Sequence, residues 1–438
     1  MEGNASVQRT ELASGITLNY IPSDKFKVST FTMYFIVPLR KETATLYALL
    51  PHVLDRGCSG FPTQMAICKR LEELYAASIS YRVYKRGEWQ ILEFSLDVLD
   101  NAYIPDKTDV FGQAMALFRT LLTEPLWENG CFLPGYVESE KKNLKDRLRA
   151  KINHKTQYAI KRCCDHMFAE EAFGISASGE EEALDAITPA SLTEAYFRLL
   201  REGRVEMMYV GSLPMSDAEH AARSIFANAD RRYFAAALPQ SPRAPKGDVR
   251  RVEESSEAVQ GKLVLGFRTG RFSGEEEYAP MAFLMELLYN SPTSKLFMNV
   301  REKLSLCYYC SATVDGLKGV MIIHSGIENE NKDRAESAIL GELQALRNGD
   351  ISETEWDYAH KSLETAYQSV SDSPSSLCAW YLTRVMRGDT HSPAEVRQRA
   401  LACTRGDVAS LAEEISLDTV YFLCGKGSAE EGDGDDDK

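Results

Sequence analysis

The chain has 438 residues, 44% of them hydrophobic and 26% charged, and a formal net charge of -14. That length calls for two domains of about 200 residues rather than one core. The acidic balance argues against a nucleic-acid footprint, and no stretch approaches the ~20 apolar residues of a membrane helix. Met1 to Ala5 do not form a basic segment leading into an apolar run, and ten cysteines in so long a chain fit reduced thiols better than a disulfide framework, so a cytoplasmic protein is expected.

In chain order, Gly15 to Tyr20 and Thr30 to Val37 read as strands. A helix follows over Thr43 to Arg56, where Leu46, Leu49, Leu50, Val53 and Leu54 recur at i, i+3, i+4, i+7 and i+8 and form one apolar face. Met65 to Ala76 reads as a helix that leads into a strand pair over Ser78 to Leu99. Leu144, Leu148 and Ile152, four apart, mark a further helix. Thr188-Pro189 sets a good N-cap before a proline at the first helical position, and the helix leads to a strand, Val205 to Gly211. From Asp230 to Glu254 the chain turns proline-rich and basic, as a linker would.

The order of elements then repeats. Lys262 to Phe267 is a strand, Tyr278 to Asn290 a helix, and Ser294 to Lys303 a helix before a strand pair over Cys307 to Ser325. Ser352 and Glu355 have capping-box spacing at the start of a long helix, and Thr404 to Ile415 is a helix that leads to a strand at Thr419 to Gly425. Gly211 and Gly425, which close the two halves, are 214 positions apart, which suggests a duplication. The fold expected is α+β. It has two homologous α/β sandwich domains, each an antiparallel-rich sheet covered by helices, at 1–229 and 255–426. A linker at 230–254 joins them, and an acidic, disordered tail follows at 427–438.

Chemistry-bearing residues are sparse. Cys307-Tyr308-Tyr309-Cys310 has C-x-x-C spacing, but there is no second pair to complete a four-ligand site and no thioredoxin-like turn and helix. It reads as core or half-exposed cysteine, as do Cys163 and Cys164 beside His166. Outside Thr43 to Arg56, none of the histidines has a second histidine four residues on, and no nucleophile elbow or phosphate loop is present.

The segment Ala48-Leu49-Leu50-Pro51-His52, running on to Arg56-Gly57, resembles the H-x-x-E-H helix of the M16 metallopeptidases, the insulysin, pitrilysin and mitochondrial processing peptidase group. Leu71 to Ala76 is similar to that family's helix before its edge strands. Glu138 to Leu144 is similar to the helix that gives the third zinc ligand, with Glu138 the nearest match. Met285 to Leu288, Ser294 to Phe297 and Val300 to Lys303 with Tyr308 resemble its second domain, where Arg301 and Tyr308 keep a seven-residue spacing. The departures carry the functional reading. A catalytic zinc takes about three protein ligands and an open position for water, with a glutamate as base. Ala48 has no donor atom. Pro51 has no carboxylate and lacks a helical N–H, so the helix is expected to kink or start there.

His52 therefore reads as a helix histidine paired to a neighbour, and Glu138 equally as part of a solvated charged face. The resemblance implies one half of a clamshell around peptide. It implies a non-catalytic subunit that pairs with an active zinc-bearing homologue or with itself and lends Arg301 and Tyr308 to the partner's site, with no cofactor of its own. Two other readings stay open, an active zinc peptidase with atypical ligands and a purely structural scaffold subunit.

Overall fold

The computed structural model describes residues 6–227, 230–236, 241–257, 260–275 and 278–425. The tail expected at 427–438 lies outside the described residues, as do parts of the expected linker. Among the described residues thirteen strands occur in order: β1 Gln8–Ala13, β2 Ile16–Pro22, β3 Val28–Pro38, β4 Ser78–Arg86, β5 Trp89–Leu99, β6 Trp127–Glu128, β7 Cys131–Phe132, β8 Arg204–Gly211, β9 Arg250–Ser255, β10 Gly261–Arg268, β11 Tyr309–Asp315, β12 Val320–Ile327 and β13 Ser416–Cys424. The first five helices are α1 Lys41–Leu54, α2 Gln64–Glu73, α3 Val110–Thr123, α4 Pro134–Asn153 and α5 Lys155–Met167.

Two large sheets result, one of order β1-β2-β8-β3-β5-β4 and one of order β9-β13-β10-β12-β11, with β6 and β7 as a separate hairpin. The repeat inferred from element order is visible in the pairing. β2 is parallel to β8 as β9 is to β13, and every other neighbour in both sheets is antiparallel. The second sheet repeats the first without β1. In each, one edge strand (β4 or β11) follows a helix through residues in left-handed conformation. Tyr75 and Ala76 have φ of 57° and 58°, and Ser305 has φ of 49°.

The compact units are not the contiguous halves expected at 1–229 and 255–426. One unit comprises Met1–Arg149, Ile175–Pro239 and Tyr367–Val396, the other Ala150–Gly174, Gln240–Ala366 and Arg397–Lys438. The cause lies in the strands, which are apolar on both faces. Along β3, Phe31, Met33, Phe35 and Val37 face a core shared with α1 and α3. Tyr34 and Ile36 point the other way, and Ile21, Met208 and Val210 share their face. The helix Pro374–Arg387 covers that second face with Leu377, Tyr381, Leu382 and Val385. Each such side chain contributes about 1.5–3 kcal/mol on burial. In the second unit, α5 does the same with Ala159, Cys163 and Met167 against Val264, Ile322 and Tyr421.

Local expectations differ at two places. Helix α1 neither starts nor stops at Pro51; it begins at Lys41 and passes through the proline to Leu54. Pro51 sits in the last turn, where the one bond it cannot donate, to the Tyr47 carbonyl, leaves the remaining turns intact. The helix expected over Tyr278 to Asn290 is α-helical only at Met281–Met285 and continues as a π-helix at Glu286–Asn290, and Leu296–Lys303 is a π-helix too. The N-cap at Thr188 and the capping box at Ser352/Glu355 form as drawn from the sequence, and Thr188 makes a capping box with Ser191 as well.

Candidate functional site

Helix α1 turns Leu49, Leu50, Val53 and Leu54 into the core, and Ala48 lies among them at 3% exposure. Ala48 and the buried Pro51 therefore fill space as apolar side chains. His52 looks out of this stripe and is half-buried. Its Nδ1 lies 2.9 Å from the hydroxyl of Tyr81 on β4, and the two rings meet edge to face at 5.0 Å between centroids. Burial, aided by the positive charge of Arg147, pushes His52 down to about 4. The imidazole is neutral at pH 7.

Around this pair lies a ring of charge drawn from three elements. Asp55, one turn beyond Pro51, accepts a 2.6 Å hydrogen bond from Gln64 Nε2. Burial outweighs that bond and, with Glu140 adding repulsion, raises Asp55 to about 6. Glu140, on α4, is 5% exposed. It accepts from Asn143 Nδ2 at 3.0 Å and faces Arg56 at 3.5 Å and Arg147 at 3.9 Å. Arg56 also lies 5.2 Å over the ring of Tyr136. Burial, with Asp55 and Glu140 adding to it, pushes the Tyr81 hydroxyl up to about 12. It remains a neutral hydrogen-bonding group beside the histidine.

Glu138 does not take part. It is exposed and pairs with Lys141 at 3.1 Å. At 100° per residue, positions 138 and 140 project from nearly opposite sides of α4, so the residues this helix brings toward His52 are Glu140 and Arg147. The sequence contains the signal. Val137, Glu140 and Leu144 fall at i, i+3 and i+7, and all three are buried, whereas Glu138 lies off that stripe.

The donor set does not fit a catalytic zinc. Two of the three α1 positions have no ligand atom, one ring nitrogen of His52 is engaged by Tyr81, and the guanidinium of Arg147 imposes positive charge where a divalent cation would need anionic donors. Among the described residues, no group of three His, Cys, Asp or Glu side chains is arranged to hold a metal ion.

Arg301 and Tyr308 are both exposed. Arg301 stands on the π-helix Leu296–Lys303, its guanidinium 4.9 Å over the ring of Phe297 and 3.5 Å from Glu302. Tyr308 sits at the head of the edge strand β11, where its N–H donates to the Gly326 carbonyl at 3.0 Å. Its hydroxyl donates to Glu328 at 2.6 Å, and that bond raises its pKa. The charge of Arg301 reaches Cys307, the neighbour of Tyr308. The π-helix and β11 thus bring the two residues to one end of the second sheet.

Known proteins place this arrangement. The profile of a family described as "Peptidase M16 inactive domain" matches residues 186–363. A protein from Bacillus subtilis described as "Probable inactive metalloprotease YmfF" is 29% identical over 416 residues, which cover 95% of this chain and 97% of that one. The crystal structure of a conserved protein from Enterococcus faecalis superposes with a TM-score of 0.88 at 27% identity, covering 97% of this chain and 100% of the other. A protease from Helicobacter pylori shares the fold, with a TM-score of 0.82 at 13% identity over 96% and 99% of the two chains. With Ala48, Pro51 and a tyrosine-bound His52 on α1, the chain is similar, over nearly its whole length, to proteins described as inactive members of the M16 metallopeptidase group.

Proposed function

We propose that this protein is a non-catalytic M16-type subunit of the cytoplasm that binds peptide and pairs with a zinc-bearing homologue, lending Arg301 and Tyr308 to the homologue's site. The observation that carries this reading is a contrast within one chain. The zinc positions have been absorbed into a hydrophobic core and an internal charge ring, whereas Arg301 and Tyr308 stay exposed. A guanidinium and a phenol are the groups that stabilise a peptide carbonyl as it gains negative charge.

Peptide binding is supported by the sheet edges. β4 is long, and among the described residues no strand lies on its outer side. An edge strand of that length suits an added extended chain. The same holds for β11, which Tyr308 precedes. The net charge of -14 favours neutral or basic peptides. All ten cysteines are free thiols, in keeping with a reducing compartment. Any zinc would reside in the partner.

The test is to mix this protein with a homologue that keeps H-x-x-E-H and to follow peptide cleavage. The mixture is expected to cleave at least ~10-fold faster than the homologue alone. Tyr308→Phe is expected to remove roughly 100-fold of the gain, the scale of one lost oxyanion donor, without weakening complex formation. Cleavage that ignores this protein, or that ignores Tyr308→Phe, would refute the proposal.

A further inference from the structure

In the second unit Lys295, Lys318 and Lys332 each reach a carboxylate within 2.9 Å. Lys262 on β10 is half-buried and, among the described residues, no carboxylate pairs with its ammonium. Its Nζ has the Gln260 side-chain oxygen at 3.3 Å and the ring of Tyr309 at 5.6 Å. Burial lowers its pKa, and no neighbouring charge offsets that.

Strand register groups other polar residues around this amine. Lys262, Gly326 and Tyr309 form one row across β10, β12 and β11, and Val264, His324 and Ser311 form the next row on the same face. A Cβ on Gly326 would lie 2.6 Å from the Tyr309 ring and 3.1 Å from Lys262 Nζ, so glycine is what lets the amine and the ring share this row. His324 meets the Tyr309 ring edge to face, 5.8 Å between centroids, and its buried Nδ1 has no partner among the described residues. The Tyr309 hydroxyl lies 2.7 Å from Thr156 Oγ1, in the first turn of α5, and the His154 side chain does not cap that turn. The positive end of the α5 dipole therefore falls on the same row. Ser311 is half-buried and Thr313 exposed, so the β11 side of the face is open to solvent.

We propose that Lys262, framed by Tyr309, His324 and the first turn of α5, is a subsite for one carboxylate, the C-terminal carboxylate of a bound peptide. The inference rests on the peptide-binding reading above and names the group by which the peptide is held. An ammonium has three donors, and Gln260 takes one, which leaves two for the oxygens of a carboxylate. Burial lowers the pKa of His324, so at pH 7 the ring adds no second full charge and the subsite takes a single anion. Every peptide carries one terminal carboxylate, whereas a chain of net charge -14 repels peptides rich in acidic side chains.

The experiment acetylates the full chain with a succinimidyl ester and follows Lys262 and the exposed Lys69 by peptide mass. Four probes compete: N-acetyl-pentaalanine with a free C-terminus, the same peptide as its amide, an amidated pentapeptide with a central glutamate, and inorganic phosphate. The free acid is expected to slow acetylation of Lys262 several-fold at saturation and to leave Lys69 unchanged, with little protection from the other three. In fluorescence anisotropy, with a rhodamine label on the peptide N-terminus, the parent is expected to bind the free acid about 10-fold more tightly than the amide, the scale of one charged hydrogen bond. Lys262→Met is expected to bind the two alike.

Protection by the glutamate peptide or by phosphate equal to that by the free acid would overturn the C-terminal assignment, and so would a Lys262→Met variant that keeps the preference. Acid and amide bound alike by the parent would strike the subsite and leave peptide binding standing. Binding of neither would strike both, so the two failures are told apart.

Discussion

His52 is held as a structural residue by its bond to Tyr81 and by burial. Its ordinary pKa of 6.5 falls to about 4 in the fold, so as pH drops through that interval the unfolded chain binds a proton that the folded chain refuses, and stability declines. Asp55 works in the opposite sense. Its carboxyl rises from 3.8 to about 6, so its contribution is complete below 3.8 and is lost as pH climbs through 6. Urea unfolding of the His52→Gln variant, which keeps a hydrogen-bonding group for Tyr81, is expected to show it gaining on the parent as pH falls from about 7 to about 5. Asp55→Asn is expected to gain on the parent as pH rises over the same range; equal shifts for both variants would contradict this account.

Much of this was legible in the sequence. The apolar spacing from Leu46 to Leu54 fixed which face of α1 is buried, and the missing donors at Ala48 and Pro51 follow from residue identity alone. Glu138 stands on the solvated charged face that the sequence allowed for it, whereas the period of α4 that runs through Val137, Glu140 and Leu144 marks the buried carboxylate.

At the scale of elements, α5 and the second sheet are joined through buried charge as well as apolar contact. Arg268 on β10 is 3% exposed and donates to Glu171, just beyond α5, at 2.6 Å and to Asp418 at 3.0 Å. Lys318, with no exposed surface, meets the same Glu171 at 2.5 Å and donates to Ser241. The guanidinium of Arg268 also lies 4.9 Å over Phe168. Burial raises the Glu171 carboxyl, but the hydrogen bonds from Arg268 and Lys318 outweigh it, so its pKa ends lowered. The stability it contributes is present above its ordinary 4.5 and is lost as pH falls through the folded value.

Glu171→Gln leaves two buried cations short of an anion and is expected to cost about 3 kcal/mol in urea unfolding at pH 7. That is the low end for such a change, because Asp418 and Ser241 keep part of the network. A cost within measurement error would mean that solvent screens the site. No sequence pattern announced this network, since its members come from positions as far apart as 171 and 418. The π-helical turns at Glu286–Asn290 and Leu296–Lys303 were equally hidden. Their apolar spacing is that of an ordinary helix, and only the backbone bonding differs.

For the whole molecule, the sequence yielded the α+β make-up, the antiparallel-rich pairing and the repeated strand order of the two large sheets, because strand composition and element order repeat along the chain. It did not yield the composition of the units. Which helix covers the second face of a two-faced sheet is a non-local choice, and here it falls on α5 for one unit and on Pro374–Arg387 for the other. Residues 1–239 and 240–438 produced separately are therefore expected to be insoluble, each having one sheet face bare. Produced together from two genes, they are expected to give a soluble nicked protein with both units formed. Size-exclusion chromatography and circular dichroism of the two preparations decide the matter; a monomeric, folded 1–239 fragment would contradict the unit boundaries.

The same exchange sets a timetable for synthesis. β8, the last strand of the first sheet, ends at Gly211, and the helix that covers Tyr34, Ile36, Met208 and Val210 begins at Pro374. At about 5–20 residues per second, a ribosome needs on the order of ten to thirty seconds to bridge that gap. Throughout it the nascent first sheet presents a bare apolar face. A chain built this way depends on whatever shields that face before its own C-terminal half emerges, and a synonymous slowing of translation between codons 211 and 374 would lengthen the vulnerable interval without altering a single residue of the product.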